Sequence, residues 1–195
     1  MKTVADLFAR EMEDHLRLAE AVAAGQADAF AAAAGACVER LGTGGKLLLF
    51  GNGGSAADAQ HLAAELTVRL RCDRRPIAAL ALTADTAVLT AAGNDLGFQQ
   101  IFARQIEALG QAGDIALAIS TSGRSPNVLE GLAAARRRGL LTVGLCGANP
   151  SEMAALCDHL LAVPSAVTAR VQELHIVLGH MLCSAIEQGL GLAPD

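Results

Sequence analysis

Apolar positions along the chain change their spacing in a regular order. Val4, Leu7, Phe8, Met12, Leu16, Leu18 and Ala19, with His15 among them, recur at helical intervals and predict a helix over 4–24. An alanine-rich helix over 27–41 follows and stops at Gly42-Thr43-Gly44-Gly45. Lys46-Leu47-Leu48-Leu49-Phe50 is then a short apolar run, the pattern of a strand buried on both faces. Further strands are predicted at 77–81, 114–119, 141–145 and 159–163. Helices are predicted at 55–70, 85–92, 98–109, 126–138, 151–157 and, longest of the second half, 166–189. Strands that alternate with helices require a parallel sheet covered on both faces. The predicted fold class is therefore α/β: a three-layer, doubly wound, five-stranded parallel sheet of the flavodoxin-like kind. Two N-terminal helices and a long C-terminal helix complete it. With no repeat, low-complexity stretch or linker, residues 1–195 read as one domain, with 1–42 as leading helices and 43–195 as core and last helix.

Composition narrows the function classes. The chain is 52% hydrophobic and 18% charged, with a formal net charge of -5 and no Trp or Tyr. Disorder is excluded by that balance, and nucleic-acid binding is not expected without clustered cations. The one basic run, Arg136-Arg137-Arg138, closes a predicted helix, where it opposes the helix dipole. Cys37, Cys72, Cys146, Cys157 and Cys183 are odd in number, scattered and without a CxxC pair, as expected of reduced thiols. The first residues carry no apolar signal core. The apolar stretch 171–186 holds Gln172, Glu173, His175 and His180, which a membrane span would not accommodate. A cytoplasmic protein without membrane contact is the expectation.

Two loops that leave strands and enter helices are rich in Gly, Ser and Thr: Gly51-Asn52-Gly53-Gly54-Ser55 and Ser120-Thr121-Ser122-Gly123-Arg124-Ser125. In open parallel sheets ligands bind beyond the carboxyl ends of the strands. Glycines admit backbone N–H groups, hydroxyls add donors, and a helix N-terminus adds positive potential, which together suit a phosphate ester. Neither loop contains GxxxxGK[ST] or GxGxxG, which disfavours nucleotide and dinucleotide binding. On the helices, His61 and Glu65 are four residues apart, about 40° around the axis. Gln172 and His180 on the last helix are about 80° apart. His with a carboxylate is the pairing that proton transfer or a metal needs, although such pairs also serve as plain helix-surface pairs. His175 reads as a packing or orienting residue.

These segments together resemble the phosphoheptose (sedoheptulose 7-phosphate) isomerase family of SIS-domain proteins. The resemblance rests on Gly51-Asn52-Gly53-Gly54-Ser55 with Asp58-Ala59-Gln60-His61-Leu62-Ala63-Ala64-Glu65-Leu66. It rests also on Ala118–Val128, on Gly93-Asn94-Asp95 at the family's Asn-Asp loop, and on Arg170-Val171-Gln172-Glu173-Leu174-His175 with His180. It implies Glu65 and His180 as the catalytic acid/base pair, and His61, Glu65, Gln172 and His180 as ligands of one zinc ion per subunit. It implies Ser55, Ser120, Thr121, Ser122 and Ser125, beside Gly53 and Gly54, as the phosphate pocket. Asn52, Arg69, Asn94, Asp95 and Gln172 then hold the substrate. It further implies a homotetramer with active sites between subunits, which would give the apolar first and last helices something to bury. The implied activity is conversion of sedoheptulose 7-phosphate to D-glycero-D-manno-heptose 7-phosphate through an enediol(ate), at the start of nucleotide-heptose synthesis for lipopolysaccharide or another surface glycan. Two segments depart from the family pattern: Ala169 replaces an acidic residue common before Arg170, and Gly147-Ala148-Asn149-Pro150-Ser151 replaces a Gly-Gly turn.

Other readings stay open at this stage. Related SIS proteins are non-catalytic regulators that bind the bacterial replication initiator, and Thr168-Ala169-Arg170 looks as much like theirs. They lack the Glu and His found here at 65 and 180. A sugar-phosphate sensor would need a separate DNA-binding module, for which 195 residues leave no room. An SIS enzyme acting on another sugar phosphate is the remaining alternative, because the loop chemistry reads phosphate and not chain length.

Overall fold

The computed structural model describes residues 3–149 and 151–193. Helices α1 (Val4–Gly25) and α2 (Ala27–Gly42) precede β1 (Leu47–Gly51), α3 (Gly54–Thr67) and β2 (Ala79–Ala81). Next come α4 (Thr86–Asp95), a 3₁₀ turn (Phe98–Gln100), α5 (Ala103–Leu109), β3 (Ile115–Ser120) and α6 (Pro126–Arg137). The chain closes with β4 (Leu141–Cys146), α7 (Ser151–Ala154), β5 (His159–Ala162) and α8 (Thr168–Gly189). All strand pairs are parallel, in the order β2-β1-β3-β4-β5. The order reverses between β1 and β3, so the loops after these two strands flank the switch point, where a crevice opens.

The continuous apolar runs are explained by burial on both faces. Leu47 and Leu49 pack with Ile115, Leu117, Ile119 and helices α2, α3 and α8. Leu48 and Phe50 pack with Ala116, Ala118 and helices α5 and α6 on the opposite face. Small residues on that second face admit the Phe50–Phe102 ring pair, centroids 5.2 Å apart. Burying each such Leu or Phe side chain contributes about 2 kcal/mol. All five cysteines are free, and burial pushes the thiols of Cys37, Cys157 and Cys183 up to about 12, as befits inert core groups.

Several element boundaries differ from the sequence reading, among them α7, expected to reach 157 but ending at Ala154. Helix α3 ends at Thr67, not near 70, because the returning chain takes its last carbonyls: Arg74 donates to the oxygens of Glu65, Leu66 and Val68, and the Ile77 N–H to Leu66. Strand β2 accordingly starts at Ala79. The expected helix 98–109 is broken after Gln100, so that Ile101 and Phe102 both enter the core. Gly93, Asn94 and Asp95 form the last turn of α4 instead of a loop. In the departing segment 147–151, Pro150 lies outside the described residues. Among the described residues no single helix is long and apolar enough to cross a membrane; α1 and α2 pass that test only as a pair bent by 69°.

Candidate active site

Helices α3 and α8 lie side by side and run in the same direction. Gln172 packs on Gly54, Leu62 on Gly179, and His61 on His180, so residue numbers rise together along the seam. Both glycines are there for closeness. A Cβ on Gly179 would meet Leu62 at 2.6 Å, and one on Gly54 would collide with the Gln172 amide. The close approach brings His61 Nε2 to 2.9 Å from His180 Nε2 and 3.4 Å from Glu65 Oε1.

These three side chains can hold a metal. Their ligand atoms all lie within 4.8 Å of one another. Two imidazoles and a carboxylate form a zinc-type donor set, and tetrahedral bonds of about 2.1 Å would separate ligand atoms by roughly 3.4 Å, against the 2.9 and 3.4 Å seen here. Gln172 sits about two turns ahead of the cluster, at the head of the same seam.

Asp58 belongs to this face as well, three residues before His61 and seven before Glu65, although sequence reasoning gave it no role. Burial raises its carboxyl above the ordinary value, while nearby His61 and His180 oppose that shift. Its Oδ2 is buried with no hydrogen-bond partner. An orphaned acidic oxygen beside two imidazoles is a setting that favours a cation. The i, i+3, i+7 spacing from Asp58 was the signal that could have found it.

The two loops meet at the switch point. Asn52 after β1 and Asn127 at the start of α6 exchange a reciprocal pair of amide hydrogen bonds, both 2.8 Å. Asn52, expected on the sugar, thus spends its amide on tying the loops together, and the buried Asn127 is a second residue that sequence reading missed. Ser120 Oγ lies 3.2 Å from Ser125 Oγ, and the Arg124 N–H donates to Ser122 Oγ. Gly123, at φ 64°, takes the left-handed turn that this loop requires. Neither α3, which starts after Gly53, nor α6, which starts after Ser125, has a side-chain cap. The Gly54 and Ser55 N–H groups at the start of α3 and the Asn127 N–H of α6, whose first residue is Pro126, remain open to an anion, while the Ala56 and Val128 N–H groups already donate to Gly53 and Ser125.

The remaining candidates are not gathered there. Arg69 lies beyond the end of α3 and is exposed. Asn94 and Asp95 are exposed at the end of α4, where the Asn94 amide donates to Asp95. His175 is fully buried, as a packing residue should be, and neither ring nitrogen has a partner in hydrogen-bond geometry. Burial lowers its pKa to about 4; the Cys146 backbone opposes that shift weakly. The His–Glu–His cluster itself is open to solvent, with the His61 side chain 51% exposed.

Known proteins share this fold. The SIS-domain family model matches residues 12–147. The phosphoheptose isomerase of Paramagnetospirillum magneticum is 60% identical over 152 residues, which cover 78% of this chain and 79% of that protein. A solved phosphoheptose isomerase from Neisseria gonorrhoeae superposes with a TM-score of 0.89 at 41% identity, covering 95% of this chain and all of that one. One from Francisella tularensis gives 0.92 at 38% identity, covering 96% of this chain and all of that one. The chain belongs to the phosphoheptose isomerase family of SIS-domain proteins and is an aldose–ketose isomerase.

Proposed function

We propose that the enzyme converts sedoheptulose 7-phosphate to D-glycero-D-manno-heptose 7-phosphate in the cytoplasm, as the first step of nucleotide-heptose biosynthesis. The observation that carries this reading is the meeting of Glu65, His61 and His180 on one helix seam. The names of the relatives support the heptose phosphate as substrate. The whole chain acts as one SIS domain, with residues 1–42 serving assembly.

The phosphate ester sits in the cradle of Ser55, Ser120, Thr121, Ser122 and Ser125, with the amides of Gly53 and Gly54. Binding there fixes the reacting carbons. Gln172, at the head of the seam, positions the sugar, Asn52 holds the loop that faces it, and Arg69, Asn94 and Asp95, which lie away from this site in the protomer, would act from neighbouring subunits. Glu65 takes a proton from C1 of the ketose while His180 donates one to O2, which gives the enediol. Glu65 then returns its proton to C2 and His180 takes the proton of O1, leaving the aldose. Each group contributes about 10²–10⁴-fold. His61, Glu65 and His180 would hold zinc, which when bound supplies Lewis-acid stabilisation of the enediolate charge; Gln172, expected as a fourth ligand, lies about two turns away on α8 and would reach the ion only from another subunit.

We further propose a homotetramer whose subunits complete one another's sites. Phe8, Leu16, Val177 and Met181 are exposed apolar residues on α1 and α8, and the cluster opens toward the same α8 surface. The regulator reading has no use for an acid/base pair. Incubating the purified protein with a panel of ketose and aldose phosphates, followed by NMR, tests the assignment. Selective conversion of the seven-carbon ketose is expected; conversion of another sugar phosphate alone would overturn it.

A further inference from the structure

The C-terminal end of the seam holds a buried ion pair that the reaction does not use. Arg74 and Glu187 are each 2% exposed, and Glu187 Oε1 accepts from Arg74 Nη2 at 2.7 Å and from Nε at 2.8 Å. The same guanidinium donates to the carbonyl oxygens of Leu66 at 2.7 Å and Glu65 at 2.8 Å. Glu187 also accepts the Leu70 N–H. Glu187 follows His180 by seven residues on α8, about 20° around the axis, so it lies on the His180 face two turns on. One planar fork therefore grips the backbone of the residue that carries the candidate base and, through Glu187, the helix that carries His180.

Elsewhere the seam is Leu62 on Gly179, Gln172 on Gly54 and the solvent-facing contact of His61 with His180. Apolar packing on glycine brings the helices close but resists sliding along their axes only weakly. Several directed charge-assisted bonds at one end do resist it. We propose that Arg74, through Glu187, is a positioning residue that sets the axial register of α3 against α8, and so the separation of Glu65 and His61 from His180. This rests on the acid/base reading given above.

Stability and register can be separated, because replacing a buried ion pair by apolar residues of similar volume often leaves a protein as stable or more so. The test is the double variant Arg74→Met/Glu187→Leu, with Arg74→Lys as a second variant that keeps the charge and loses the fork. Two quantities are read: the imidazole ¹H–¹⁵N resonances of the metal-free protein, and kcat and KM on the ketose phosphate. Resonances of His61 and His180 should move while that of His159, on β5, stays. The kcat should fall roughly 10²-fold, as a displacement near 1 Å does, with KM changed by less than about threefold. Arg74→Lys should move the same resonances less, and it is read alone if the double variant does not fold. Unmoved His61 and His180 resonances, or an unchanged kcat, overturn the proposal. An inactive wild-type protein would sink the functional assignment instead, and the resonances would still decide the register.

Discussion

The cradle and the cluster are built on opposite principles. The cradle grows from adjacent strands β1 and β3, and its parts are bonded to each other within the protomer: Asn52 to Asn127, Ser120 to Ser125. The cluster grows from two helices far apart in sequence, and its geometry depends on how they pack. Its His61 is open to solvent and its Glu65 and His180 are partly so, whereas Ser120 and Asn127 are buried. On the proposed function, a rigid sheet-borne rim would suit the binding of a fixed dianion. On the same reading, acid/base groups that must also meet different states of a sugar would sit on a seam whose register Arg74 and Glu187 set.

Breaking the cluster should cost most. Glu65→Gln and His180→Gln should each lower kcat by about 10²–10⁴-fold, or 3–5 kcal/mol of barrier, with unchanged melting. Ser125→Ala in the cradle should instead raise KM with a smaller change in kcat, as steady-state kinetics will show. Chelation followed by activity assay and zinc addition tests the donor set: loss and recovery are expected, and unaffected turnover would remove the metal from catalysis.

His175 offers a smaller and purely thermodynamic effect. It anchors α8 over the sheet near Cys146, and its folded pKa of about 4 lies below the unfolded 6.5. The folded state refuses a proton that the unfolded chain accepts. Its contribution is therefore complete above pH 6.5 and is lost progressively as pH falls toward 4, about 3 kcal/mol in all. Denaturant midpoints from pH 7 to 4 should fall in the wild type and fall less in His175→Leu. Asn127→Ala comes next, at about 1–3 kcal/mol, because it strands the Asn52 amide; thermal unfolding and KM should both respond. Gly179→Ala should cost about 1 kcal/mol, the low end for overpacking, since the Leu62 side chain can shift, and kcat should drop with it.

Much of this was legible before the fold was known. Apolar runs such as Leu47–Phe50 and Ile115–Ile119 admit few interpretations, and the four-residue spacing of His61 and Glu65 places them on one face. What stayed hidden depends on contacts across the chain. Nothing local marks Asn127 as the partner of Asn52, or Arg74 as the residue that ends α3 and ties it to Glu187. The break after Gln100 and the helical setting of Asn94 and Asp95 follow from core packing around Phe102, which outweighs local propensity.

The central claim is that Glu65 carries the proton between the two carbons. The direct measurement is turnover of sedoheptulose 7-phosphate in D₂O, followed by NMR for the rate of aldose formation and for deuterium at its C2. Wild-type protein should form aldose carrying some C2 deuterium, and Glu65→Gln should do so at least about 10²-fold more slowly. The same label at the same rate in Glu65→Gln would contradict it.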